Sequence, residues 1–103
     1  MIQTVSRKRI EILVDTPLVP RVVAQLKAVD ISGWSVIHVD SGGGRAGEWQ
    51  DDDVTEASAK TIVLAIASET KTSGLIEAIA PLLDSYGMLL TIGDVQVVRG
   101  ERF

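Results

Sequence analysis

Apolar residues recur along this chain with two periods, and together they predict four strands and two helices. Arg9-Ile10-Glu11-Ile12-Leu13-Val14 alternates, with Ile10, Ile12 and Val14 on one face, so it reads as a strand. Residues before about Arg7 carry no pattern and are expected to fray. Asp15-Thr16-Pro17 is a helix-start signal, a capping residue followed by a proline of the first turn; Pro20 offers the same signal one turn later. Val19, Val22, Val23, Leu26 and Val29 follow at helical spacing, with an end expected near Asp30, before Ser32-Gly33. Residues 34–40 read as the second strand and residues 61–67 as the third. Leu75, Ile76, Ile79, Leu82, Leu83 and Tyr86 predict a second helix, with candidate N-caps in the polar run 68–73. Pro81 is expected to kink it or shift its start, and Gly87 to end it. Residues 88–92 read as a fourth strand, Gly93-Asp94 as a bulge or turn, and residues 95–98 as a resumed extended run.

The order strand-helix-strand, long loop, strand-helix-strand predicts an α+β fold, a ferredoxin-like βαββαβ sandwich built as a single domain over residues 1–103. Right-handed crossovers place both helices on one face of the sheet. Yet the third strand is apolar on both sides, with Ile62, Leu64 and Ile66 on one and Val63, Ala65 and Ala67 on the other. An uncovered apolar sheet face predicts association. A closed homo-oligomer with sheets inward follows, most simply a homotrimer. The alternative is that residues 95–103 fold back over part of that face.

Composition narrows the chemistry. The 103 residues are 46% hydrophobic and 23% charged, an ordinary globular balance. With no cysteine there is no disulfide framework, thiolate metal site or cysteine nucleophile, which suits a cytoplasmic protein. No apolar run is long enough to span a membrane, and the N-terminus lacks the apolar core of a signal peptide. A formal net charge of −4 argues against a nucleic-acid surface, which needs a basic stripe. The aromatic residues Trp34, Trp49, Tyr86 and Phe103 are too scattered for a base-stacking sheet.

The stretch Ser41-Gly42-Gly43-Gly44-Arg45 carries the most suggestive chemistry. Glycines let the backbone approach a ligand closely, and a guanidinium suits a carboxylate, phosphate or bicarbonate. Backbone N–H groups plus an arginine make a pocket for a small anion. A flexible surface loop that happens to hold an arginine is the plainer reading. The run is not a Walker motif, because no Gly-Lys-Ser/Thr follows. Residues 41–59 form a long loop for so small a domain. Within it, Glu48 and Asp51-Asp52-Asp53 read as a solvated stretch in preference to a cation site, and Trp49 as either an anchor for a partner protein or a side chain folded onto its own subunit. His38, the only histidine, has no nucleophile context. Glu69 and Glu77 lack a partner carboxylate at a catalytic spacing, so no catalytic residue and no metal site is assigned.

Over about residues 8–103 the chain resembles the PII-like signalling proteins. Gly33-Trp34-Ser35-Val36 followed by Ser41-Gly42-Gly43-Gly44-Arg45 is similar to the strand entering that family's long T-loop, whose base carries a G-x-G-R run. Val98-Arg99-Gly100-Glu101-Arg102 resembles its C-terminal R-x-G-E segment. Tyr86-Gly87-Met88-Leu89-Leu90 resembles the aromatic-glycine step of the carbon-sensing branch, the carboxysome-associated and bicarbonate-transporter-associated PII-like proteins. The resemblance implies a homotrimer with adenine nucleotides in clefts between subunits. It places Ser35 and the backbone near Ile66 by the adenine, and Gly42, Gly43, Gly44 and Arg45 at the T-loop base, with Gly43, Gly44 and Arg45 facing bicarbonate. Gly87 and Met88 would be the B-loop region, given by a neighbouring subunit, and Arg99 and Arg102 would reach the phosphates.

Several positions depart from the family pattern. PII proteins that bind ATP carry a G-D-G-K run in the B-loop; here Asp84-Ser85-Tyr86-Gly87-Met88 has no lysine, which favours ADP or AMP over ATP, with cyclic AMP a further candidate. Ala46 stands where the family places a glutamine after the T-loop arginine, against 2-oxoglutarate sensing. No tyrosine lies in residues 41–59, against uridylylation. The expected function is therefore a non-enzymatic sensor of adenine nucleotide and bicarbonate. Through its T-loop it would regulate a membrane transporter or a carbon-fixation protein. The rivals are a microcompartment-type scaffold and a trimeric metal-tolerance-type protein. A third, an acylphosphatase-like enzyme, would need an arginine in an early phosphate-cradling loop, which Asp15-Thr16-Pro17-Leu18 does not offer.

Overall fold

A computed structural model describes residues 3–44, 47–50 and 59–98; for residues 49 and 50 it describes the backbone alone. In chain order the elements are β1 (Thr4–Asp15), a 3-10 turn (Thr16–Leu18), α1 (Val19–Ala28), β2 (Trp34–His38), β3 (Ser41–Gly44), β4 (Gly47–Gln50), β5 (Lys60–Ala67), α2 (Glu69–Ser85) and β6 (Leu89–Val98). The main sheet has the order β2-β5-β1-β6, and every neighbouring pair is antiparallel. With α1 joining β1 to β2 and α2 joining β5 to β6, this is the ferredoxin-like arrangement that the alternation of periods predicts.

The core follows from period two in the strands. Ile10, Ile12 and Val14 of β1 stand opposite Ala65, Val63 and Thr61 of β5, and all six are buried. Val22 and Leu26 of α1 and Leu75 and Ile79 of α2 close over them. Burying one such branched side chain contributes about 1.5–3 kcal/mol, so this layer supplies much of the hydrophobic stabilisation. On the opposite face, Leu13, Ile62, Leu64 and Ile66 are half-buried, while Leu89 is 57% and Ile37 43% exposed. Neither helix covers that face, which sets these apolar side chains beside an Arg9–Glu11 ion pair (2.7 Å) opposite Ile66 and Leu64.

Other expectations are corrected. Thr4 to Ser6 are not frayed: they pair with β6, and Gln96 bridges them by accepting from Thr4 Oγ1 (3.1 Å) and donating to Ser6 Oγ (2.8 Å). Asp15 makes no side-chain cap; its carboxylate pairs with Lys60 instead, and Pro17 opens only the 3-10 turn while Pro20 opens α1. β2 stops at His38, short of Asp40. The second helix starts at Glu69 behind the N-cap Ser68, whose Oγ accepts from Lys71 N (3.2 Å), and ends at Ser85 with Tyr86 as its C-cap. It runs through Pro81 without a shifted start; Pro81 and the residue whose carbonyl loses its donor, Glu77, are both exposed to water. Gly93-Asp94 is neither bulge nor turn. Register runs unbroken through Arg9↔Gly93 and Lys8↔Asp94, and a Lys8–Asp94 ion pair at 2.5 Å spans the two strands there.

That pair raises the Lys8 pKa through the Asp94 hydrogen bond and charge, against desolvation. A raised lysine pKa contributes stability that is complete below the unfolded value, so it is fully present at neutral pH and is lost only as pH climbs through the folded value. For the core, Ile12→Ala should cost about 2–5 kcal/mol, read as a fall in the urea midpoint with an unchanged slope.

Candidate functional site

The end of α1 sets the entrance to the site. Ile31 N donates to Leu26 O (2.9 Å) and Asp30 N to Lys27 O (3.0 Å), closing the helix with Asp30 at φ 62°. Aspartate is among the residues that tolerate this left-handed conformation. Ile31 is buried and anchors the turn, and Lys71 Nζ donates to Asp30 O (2.8 Å), tying it to α2. The chain is thereby delivered as Ser32-Gly33 to the head of β2.

There an open groove of about 280 Å³ is lined by Gly33, Trp34, Ser35, Leu64, Ala65 and Ile66. Ser35 stands opposite Leu64, so Ser35, Leu64 and Ile66 share the uncovered sheet face. Both residues expected beside an adenine, Ser35 and Ile66, therefore meet in one place. Leu64 was not foreseen, although its position two residues before Ile66 puts it on the same face. Trp34 takes the helix side, half-buried against the core, with Lys27 Nζ 5.6 Å from its ring centroid. Ligand pockets usually span about 300–1,000 Å³, so this open groove is the size of part of a site.

The glycine-rich stretch is not a loop throughout. Ser41 to Gly44 pair with Gly47 to Gln50 as a two-stranded ribbon, with Gly42 opposite Trp49 and Gly43 opposite Glu48. The residues expected at the T-loop base, Gly42, Gly43 and Gly44, thus lie on β3, apart from the groove; pairing of their backbones outweighs the low strand preference of glycine. The base is pinned on both sides. Val39 N donates to Lys60 O (3.2 Å), and Thr16 donates to Ala59 O from its N (2.8 Å) and its Oγ1 (3.0 Å), with Thr61 Oγ1 2.8 Å from Thr16 Oγ1. Arg45 and Asp51-Asp52-Asp53 lie outside the described residues, as do Arg99 and Arg102 and the side chain of Trp49. Among the described residues no three acidic or histidine side chains cluster as metal ligands would.

Gly87 and Met88 occupy the turn between α2 and β6, where Met88 N donates to Tyr86 O (2.7 Å). The sheet order puts them at the β6 edge and the groove at the β2 edge, three strand spacings or about 14 Å apart. Within one chain these two sets stay apart. Gly33 and Gly87 add to this. Neither has a positive φ, and a Cβ at either would meet nothing within 4 Å, so the chain's own packing does not require glycine there. A close approach from outside the chain would.

The comparisons agree with the fold. Residues 7–102 match the family model described as nitrogen regulatory protein P-II. Among solved structures, CPII, a nitrogen regulatory PII-like protein from Thiomonas intermedia K12 bound to ADP, AMP and bicarbonate, superposes with a TM-score of 0.90 at 21% identity, over 100% of this chain and 98% of that one. A PII-like signalling protein from Thermus thermophilus gives 0.83 at 20% identity, over 98% of each chain. The Bacillus subtilis GlnK–ATP complex gives 0.61 at 10% identity, over 87% of this chain and 82% of that one. At these identities the likeness shows the fold. No curated relative matches the chain.

Because packing within the chain leaves both positions open, Gly33→Ala and Gly87→Ala should fold as well as the parent. Their urea unfolding free energies should stay within about 1 kcal/mol of it, on the stabilising side where the lost unfolded-state freedom dominates.

Proposed function

This chain belongs to the nitrogen regulatory protein P-II family, and we propose that it is a non-enzymatic, cytoplasmic sensor that binds ADP or AMP between the subunits of a homotrimer. The single observation that carries this reading is the placement of the two expected nucleotide-contacting sets on opposite edges of one sheet. The groove with Ser35 and Ile66 lies on one edge and Gly87 with Met88 on the other. Association through the uncovered face would join the groove of one copy to the turn of the next, and would bury Leu13, Leu64 and Leu89 as it did so. PII-family proteins form trimers, and the Thiomonas protein of the same fold is bound to ADP, AMP and bicarbonate.

In the assembled cleft the apolar floor of Leu64 and Ile66 would take the flat face of the base, and Ser35 would offer a hydroxyl to its edge. Gly87 would let the neighbour's backbone approach closely. Arg99 and Arg102 would meet the phosphates. Arg45 with the amides of Gly43 and Gly44 would hold bicarbonate where the T-loop leaves the sheet, so ligand would favour one ordered state of the loop by its differential affinity for it. A membrane transporter or carbon-fixation protein would then read the loop, with Trp49 as its anchor.

Isothermal titration tests the ligands. ADP or AMP should bind, more tightly with bicarbonate present than without, and ATP and cyclic AMP titrated in parallel rank the alternatives. Arg45→Ala should abolish the bicarbonate dependence and keep nucleotide binding; an unchanged dependence would remove bicarbonate from the site. Light scattering on the eluted protein should give three times the 11.0 kDa chain mass, and a monomer mass would remove the inter-subunit cleft.

A further inference from the structure

The turn at Gly87 and Met88 is gripped by a side chain from the opposite helix. Arg21, on the exposed side of α1, donates from Nη1 to Tyr86 Oη at 2.6 Å, with its guanidinium carbon 5.5 Å from the ring centroid. The contact spans 65 positions of sequence and joins the first turn of α1 to the C-cap of α2. α2 has no basic residue in its own last turn. Arg21 lies against the side chain of its C-cap residue, at the hydroxyl and ring of Tyr86.

The geometry after Tyr86 is simple. Its backbone is extended at φ −129° and ψ 147°, its N–H still bonds to Leu82 O (2.9 Å), and its carbonyl accepts from Met88 N (2.7 Å) across Gly87. Gly87 has no side chain, and a Cβ there would meet nothing within 4 Å. Met88 packs against the core and Leu89 pairs with Leu13, so the far end of the turn is fixed, and its near end is set at Tyr86 by the backbone tie to Leu82 and the side-chain tie to Arg21.

We propose that Arg21 is a positioning residue for the inter-subunit nucleotide cleft, acting through Tyr86 to hold Gly87 and Met88 in the conformation that meets the neighbouring copy's ligand. This rests on the cleft reading above. It also gives the missing B-loop lysine a substitute of another kind: the turn offers no charge of its own, and gains its order from a cation on α1.

The test uses the full chain with Arg21→Ala, Arg21→Lys, Tyr86→Phe and the Arg21→Ala/Tyr86→Phe double variant. Three readouts are taken: ADP affinity by titration, amide hydrogen exchange at Gly87 and Met88, and urea stability. Arg21→Ala and Tyr86→Phe should each weaken ADP about tenfold and speed exchange at both amides. The double variant should be no worse than Arg21→Ala, because Arg21→Ala already removes both the hydrogen bond that Tyr86→Phe deletes and the contact with the ring. Arg21→Lys should restore part of the affinity, since an ammonium keeps the charge and loses the planar fork. Unchanged exchange at Gly87 and Met88 overturns the proposal. Faster exchange with unchanged ADP affinity overturns it too, leaving Arg21 a purely structural tie. No ADP binding by the parent protein overturns the cleft reading itself, and the exchange data then still decide whether Arg21 orders the turn.

Discussion

The structure turns on a mismatch between one sheet and its cover. β5, at the centre of four strands beside β1, is apolar on both sides, yet two helices suffice for only one face. Ile10, Ile12 and Val14 with Val63 and Ala65 are sealed under Val22, Leu26, Leu75 and Ile79. Leu13, Ile62 and Leu64 have no such lid, and Leu89 is left mostly in water. The chain is thus complete as a fold and incomplete as a surface. An apolar surface left in this state favours association.

That constraint also explains where chemistry gathers. The helix-covered face of the sheet is occupied by packing, so the described candidate groups lie on the uncovered face or at the ends of elements: the groove between β2 and β5, the β3–β4 ribbon, and the turn before β6. Within one chain the groove and the turn stay apart.

Period two in β1 and β5 and the 3.6-residue spacing in α1 could be read directly, because burial leaves its mark on side-chain type at each position. What failed to show was backbone pairing that side chains do not report. The ribbon of Gly42 to Gly44 has no apolar pattern, since glycine carries none. Gly93-Asp94 has the composition of a turn, yet strand pairing and the Lys8 partner keep it straight. Asp15 looks like a cap, but a lysine far along the chain competes for its carboxylate and wins. The same limit applies to the site. Ser35 and Ile66 were legible from the resemblance and meet in the groove, whereas the hold of Arg21 on Tyr86 depends on two helices crossing, which no local pattern encodes.

The twin fastenings at the foot of the ribbon have a consequence for how this fold can change. Val39 is bound to Lys60, and Ala59 to Thr16, so the span between them begins and ends on rigid ground. The entropy of closing such a span grows only with the logarithm of its length. Insertions, deletions or wholesale replacement there change the β3–β4 ribbon and leave the four-stranded sheet and both helices in place. The segment is a natural grafting point, at which the outline of the molecule can change while its core stays the same.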